Sequence, residues 1–295
     1  MITAKEIASF LKLRVSGDED LKIEGFSKLD SLKSNTVVFA KKFKEDFVQL
    51  LNDNPHVLAI VTNEYEGKIN CSYIPSSNPR LDFIKVLSSF FEPSKPDGYI
   101  HPSAIVASDA IIAPDAVIGA NCFISAGSVI GARTVLHPSV IVDNGSIIGD
   151  DCEIKSGAIL GQSGFGFERD SEGLPIKFPH FGKVILGNHV YVGANTAIDR
   201  GTLGDTIIED NVKIDNLVHI AHNCHIKEGA FVIAGTILGG GTQIGKNCWI
   251  APNVSVKEQT VVHDGALVGL GAVVLKEVAA GTVVVGNPAK ELIKK

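Results

Sequence analysis

No stretch of this sequence is apolar for the ~18 residues that a bilayer-spanning helix needs, so no membrane span is expected. The opening MITAKEIASFLKLRV has neither an uninterrupted apolar core nor a small-residue cleavage pattern, so it does not read as a secretory signal, and a cytoplasmic protein is expected. There is no excess of positive charge. A net charge of −6 argues against a nucleic-acid partner, which would need a basic surface. There is no CxxC pair, and five cysteines is an odd number, which fits a reducing compartment better than a disulfide framework. With 45% hydrophobic and 20% charged residues, the composition is that of a soluble globular protein.

What is present is a repeat. From Ile100 the chain can be cut every six residues into eleven blocks, IHPSAI, VASDAI, IAPDAV and onward to LGQSGF. The phase breaks over residues 161–185 and returns at Leu186 for three blocks. Four extra residues (204–207) follow, and twelve more blocks run from Ile208. All 26 block starts are Ile, Val or Leu. A period of six suits neither an α-helix nor an alternating strand, but it suits a parallel β-helix, in which each coil stacks one inward aliphatic ladder on the next. The fifth position is also inward and cramped. It holds mostly small or β-branched residues, including Cys122, Cys152, Cys224 and Cys248, which read as core fillers. Gly, Asn and Asp gather at turn positions, where positive φ is needed.

Three parts are expected: a small α/β domain over 1–98, a β-helix over 99–281 with an excursion at 161–185, and a tail over 282–295. In the first, TAKEIASFLKL reads as a short helix with Thr3 as N-cap, and NPRLDFIKVLSSFF as an amphipathic helix. LKIEGFSKL, NTVVFA and HVLAIVTN read as strands. EPSKPDGY reads as the linker. The last seven residues could form only a short helix. The excursion GQSGFGFERDSEGLPIKFPHFGKVI is long enough to be a functional loop that helps to build a groove.

The densest polar cluster is IDRGTLGDT (198–206) followed by IDNLVHIAHNCHI (214–226). His219, His222 and His225 are spaced by three. A metal site is one reading, but His219 and His225 fall on successive faces of a triangular coil and should point apart within one chain. The other reading makes one histidine a general base for an amine attacking a thioester. The oxyanion then needs an N–H donor. Eighteen residues beyond His222, and so directly above it in the stack, stands Gly240 in the run Gly239–Gly241. Surface histidine and turn glycines remain the plain alternative.

The stretch GFGFERDSEGLPIKFPHFGKVILGNHVYVGANTAIDRGTLGDTIIEDNVKIDNLVHIAHNCHI resembles the UDP-3-O-acylglucosamine N-acyltransferases of lipid A biosynthesis, most strongly over 161–226. The resemblance implies a left-handed β-helix with a triangular coil per three hexapeptides. It also implies a homotrimer with its sites between subunits. The 26 blocks then make between eight and nine coils, roughly 40 Å long at ~4.8 Å per stacked strand. The resemblance further implies a nucleotide-sugar acceptor and an acyl donor on phosphopantetheine, carried by acyl carrier protein or coenzyme A, with no other cofactor and no metal. It assigns His222 as base, Asn216, His219 and Asn223 near sugar and base, and Phe39 and Phe43 as rings sandwiching the uracil. Asp199 and Arg200 brace the groove or serve structure alone.

The chain departs from that family in places. FAKKF is short and lacks the asparagine that reads the base. His219 stands where the family often has Gln, and Gln259 where it has a second histidine. The ending VVGNPAK resembles coenzyme-A-dependent sugar acetyltransferases of the same fold. Short-chain acylation from acyl-CoA is therefore the second expectation. A metal-dependent hydratase and a non-catalytic binding solenoid are the others.

Overall fold

The chain divides into two compact units, residues 1–95 and 96–295, a few residues before the expected boundary. The computed structural model describes residues 1–93 and 97–292, so the centre of the expected linker (94–96) lies outside the described residues.

The first unit is built on a parallel four-stranded sheet in the order Gly25–Phe26, Thr36–Ala40, Val57–Val61, Ser72–Pro75. Val57–Val61 is buried at every position, as expected of a central parallel strand covered on both faces. Leu58 and Ile60 face one apolar cluster with Ile7 and Phe83; Val57, Ala59 and Val61 face the other with Leu51 and Tyr65. The helix Ala4–Leu11 begins where the sequence placed it. The Thr3 side chain accepts from the Glu6 N–H while Glu6 reaches back to the Thr3 N–H, a reciprocal cap. The second expected helix spans Pro79–Phe90. A third, Glu45–Asn52, was not foreseen; its first turn carries Glu45 and Asp46 but no side-chain cap.

The second unit is a left-handed β-helix. Its strands, mostly two residues long, stack in three sheets of eleven, nine and eight, so the smallest sheet sets eight complete triangular turns. The register is in phase with the hexapeptide: Ile118 pairs with Leu136, Ile124 with Val142, and Ile130 with Ile148. From Ile118 onward the block-start residues are buried, and so are those at the fifth position, such as Cys152, Thr134 and Thr236. Most buried hydroxyls there donate to turn carbonyls, Thr134 to Gly149 O at 2.7 Å and Thr196 to Asp215 O at 2.7 Å, while that of Ser146 has no partner. The residue before most fifth positions turns the corner with positive φ, which is why Asn121, Asn195, Asn211 and Asn247 recur there.

Among the described residues of the tail there is no helix. Val283–Val285 extends the first sheet, and Lys290–Glu291 returns antiparallel to it; residues 293–295 lie outside the described residues. So short a segment cannot offset helix nucleation, whereas the open sheet edge supplies partners at once. Among the described residues no helix is long and apolar enough to cross a membrane.

Candidate active site

Both breaks in the repeat occur at the same corner, where the chain leaves the second sheet. In that sheet Leu160, Ile198, Ile220 and Leu238 stack on one another. After Leu160 comes the excursion, after Ile198 the four-residue insertion, after Ile220 His222, and after Leu238 Gly240. The excursion leaves as an antiparallel hairpin, Phe167–Arg169 with Pro175–Lys177. Its return is tied to the insertion: Phe181 N–H donates to Thr202 O at 2.7 Å and Lys183 N–H to Asp205 Oδ1 at 2.9 Å. Arg200 secures its departure by donating to Gly161 O through Nε and to Asn144 O at 3.0 Å.

His222 is half-buried at this corner. Its Nδ1 lies 2.9 Å from Asn223 Oδ1. That oxygen also accepts from the Thr202 N–H at 3.0 Å and the Thr202 hydroxyl at 2.9 Å, while Asn223 Nδ2 donates to Gly204 O at 3.2 Å. The amide is thereby fixed with oxygen toward the ring. His222 must carry its proton on Nδ1, and Nε2 keeps its lone pair. One coil above, a Cβ on Gly240 would lie 2.7 Å from His222 Cε1 and 2.8 Å from Nε2, so the imidazole lies flush against Gly240 and any side chain there would displace it. Among the described residues no hydrogen bond occupies the Gly240 N–H.

In the coil below sits Asp199, with 13% of its side chain exposed. Burial pushes its carboxyl up from the usual range, against the opposing pull of His219, His222 and His180. His180, from the excursion, is buried and meets His222 edge to face, with centroids 5.3 Å apart and planes at 76°. His180 did not stand out in the sequence, and Thr202 and Gly204 lay inside the polar cluster 198–206 without a role of their own. The signal was there only as the two phase breaks, which place extra backbone over His222.

The remaining candidates scatter. Asn216 sits exposed at the corner after the first sheet, where its Oδ1 accepts the Ala194 N–H at 2.7 Å; within one chain it does not join His222. His219 lies on the second sheet with Nε2 3.9 Å from Asp199 Oδ2, while His225 lies on the third, 2.7 Å from Glu209. Among the described residues no group of three or more His, Cys, Asp and Glu is placed to share a metal ion. Gln259 is exposed at the active corner, its N–H donating to Gly240 O at 2.8 Å. The expected sandwich of Phe39 and Phe43 is not formed. Phe39 packs against Phe83 at 4.9 Å on one side of the sheet, and Phe43 against Tyr65 at 5.0 Å in the opposite cluster, capped by Lys68. The strand ends at Ala40, so the spacing of four does not keep the two rings on one face. Phe39 instead lines a cleft of about 610 Å³ with Phe26, Phe83, Leu87, Lys28 and Lys33.

The family model described as the GMPPB C-terminal domain matches residues 94–203, and that of the bacterial transferase hexapeptide matches 241–276. A UDP-3-O-acylglucosamine N-acyltransferase of Coxiella burnetii is 32% identical over 236 residues, 74% of this chain and 68% of the relative. One from Francisella tularensis subsp. holarctica is 35% identical over 235 residues, 74% and 69% of the two chains. The chain belongs to the UDP-3-O-acylglucosamine N-acyltransferase family. It is an enzyme, an N-acyltransferase, and the hydratase and binding-solenoid readings fall away. Among solved structures, the UDP-N-acetylglucosamine O-acyltransferase of Moraxella catarrhalis superposes with a TM-score of 0.61 at 30% identity, over 65% of this chain and 73% of that one. The family's hexapeptide prism thus carries the corner described above.

Proposed function

We propose that the protein transfers an acyl group, 3-hydroxyacyl from acyl carrier protein, to the 2-amine of a UDP-3-O-acyl-glucosamine in lipid A biosynthesis, with His222 as base. The observation that carries this reading is the free Nε2 of His222 lying against Gly240, whose N–H is uncommitted. As the amine nitrogen bonds to the thioester carbon, Nε2 takes its proton. The Gly240 N–H receives the oxyanion. Collapse breaks the C–S bond, and the imidazolium returns the proton to the departing sulfur, so the site ends as it began.

In this reading the cleft holding Phe26, Phe39 and Phe83 takes the uracil ring, with Lys28 and Lys33 toward the diphosphate. Asn216 and His222 sit at different corners, so they share one site only across a subunit boundary, which supports a homotrimer. The VVGNPAK ending keeps coenzyme A in play as the donor carrier. Assays with acyl carrier protein and coenzyme A thioesters of equal chain length separate the two donors. The base is tested by His222→Ala, which is expected to lower turnover ~10²–10⁴-fold with UDP binding kept. Wild-type turnover in that variant would refute the assignment.

A further inference from the structure

Among the described residues, the large apolar side chains that stand furthest into solvent after Met1 are Phe165, 87% exposed, Phe181, 77%, and Leu203, 77%. All three belong to the excursion or the insertion. Apolar surface left in water is unfavourable, and a cluster of it marks a binding surface. Each of the three is pinned beside the base by its neighbours in the chain. Phe165 follows Gly164, on which a Cβ would lie 3.2 Å from His222 Cβ. Phe181 follows His180, whose ring meets that of His222. Leu203 stands between Thr202 and Gly204, both bonded to Asn223, the residue that holds His222 Nδ1. Phe167 and Phe178 extend the surface, with Phe167 at a centroid distance of 5.0 Å from Phe165 and Phe178 at 6.4 Å from His180.

The corner also has an order. Going up the stack, the excursion follows Leu160, the insertion Ile198, His222 follows Ile220, and Gly240 follows Leu238. With the thioester oxygen received at Gly240, the donor takes the upper side of the base. The acceptor takes the lower side, where the three apolar side chains are. On the acceptor sugar, the carbon that carries the ester-linked chain adjoins the carbon that carries the reacting amine. That chain therefore starts beside His222 and must lie on what covers the coils below it. We propose that Phe165, Phe181 and Leu203 seat the 3-O-acyl chain of the acceptor, so that the enzyme selects a sugar already acylated on oxygen. This rests on the N-acyl transfer at His222 proposed above. Binding of a hydrocarbon remote from the reacting atoms then serves to place the amine against Nε2.

The test compares kcat/KM for two acceptors that differ only in the 3-O-chain, one long and one short, with a single donor. Each methylene buried is worth about fourfold, so the wild type is expected to prefer the long chain by ~10²-fold. In the double variant Phe181→Ser, Leu203→Ser that preference is expected to fall below ~10-fold, and Phe165→Ser is expected to lower it less. Phe181→Leu keeps an apolar side chain and is expected to restore most of the preference. All of these positions are exposed, so melting temperatures should stay near that of the wild type; a double variant that melts much lower is replaced by Phe165→Ser and Phe181→Ser singly. An undiminished preference in the variants overturns the proposal. So does a change in the preference for donor chain length with the acceptor preference intact, which would put the donor chain on these residues. Equal losses on both acceptors, with the variant smaller by light scattering, would mean that the three side chains pack on a second copy, and would overturn it too. If His222→Ala turns over both acceptors normally, it is the base that fails; if it turns over neither and the preference is unmoved in the double variant, only the seat of the chain fails.

Discussion

Two corners of the same prism run on the same backbone and end in opposite states. After the third sheet, most coils cap the one below, although among the described residues the Asp210 N–H is not capped and the Glu228 N–H is held from below by Glu209. Ala132 N–H donates to Asp150 Oδ1 at 2.8 Å, Asp150 N–H to Asn188 Oδ1 at 2.9 Å, and Asn188 N–H to Asp210 Oδ1 at 2.7 Å. The ladder continues higher up, where Lys246 N–H donates to Asp264 Oδ1 at 2.8 Å. After the second sheet, the equivalent N–H at Gly240 is left open although Glu258 stands one coil above. There the side chains that could cap are replaced by an imidazole, a glycine and two inserted loops. An open N–H alone does not set a corner apart; Gly240 differs in having an imidazole lying against it.

The largest effect expected from closing that gap comes from Gly240→Ala. The added methyl would meet the His222 ring at 2.7 Å, so the ring must leave its place. Turnover should fall ~10²–10³-fold, as when an oxyanion site is spoiled. The melting temperature should change little, because Gly240 is not in the left-handed region. Steady-state kinetics beside a thermal melt would check both; near-normal turnover would mean that the ring and this peptide do not cooperate.

Asn223→Ala should come next, lowering kcat ~10–10²-fold with little change in KM. It releases His222 Nδ1 and both Thr202 donors at once. The other corner supplies the control. Asn211 has the same φ of 61° but no histidine to hold, so Asn211→Ala should melt lower by a similar amount and turn over normally. Equal kinetic losses in the two variants would show that Asn223 matters only to the turn.

Much of the prism could be read from the residues alone, because a close-packed triangular core tolerates only aliphatic residues at one position of the hexapeptide and small or β-branched ones at another. The pairing of His222 with Gly240 followed from counting one uninterrupted coil. Counting stops where the phase breaks: Asp150 meets Asn188 thirty-eight positions on, and Thr202 meets Asn223 after twenty-one. The insertion and the excursion therefore could not be laid over the histidine, and His180 read as one polar residue in a loop. In the first unit, Phe39 and Phe43 look alike in FAKKF, but one belongs to a strand and the other lies beyond its end. Their faces are set by where the strand stops, which no spacing rule in the sequence records.

A smaller effect belongs to the finished corner. Asn188→Ala leaves the Asp150 N–H without its acceptor and should cost ~1 kcal/mol, a few degrees of melting temperature, with kcat and KM unchanged. A kinetic effect there would mean that the two corners are coupled through the core.

The smallest effect is also the one whose sign is least intuitive. Asp199 has its carboxyl pushed up in the fold by burial, above the ~3.9 of an unfolded Asp. Between those two values the folded chain binds more protons than the unfolded one, so this group's contribution to stability falls as pH rises through that window. It is greatest below about pH 4, where both states hold the proton. Asp199→Asn is neutral throughout and escapes the fall. Melting curves of the two proteins should therefore lie closest at acid pH, with the variant gaining on the wild type as neutrality is approached. If the wild type gained instead, the carboxylate would be stabilised where it sits. The active corner would then hold its acid by attraction to the three histidines, as a salt bridge does, and the contrast with the capped corner would be one of charge more than of missing hydrogen bonds.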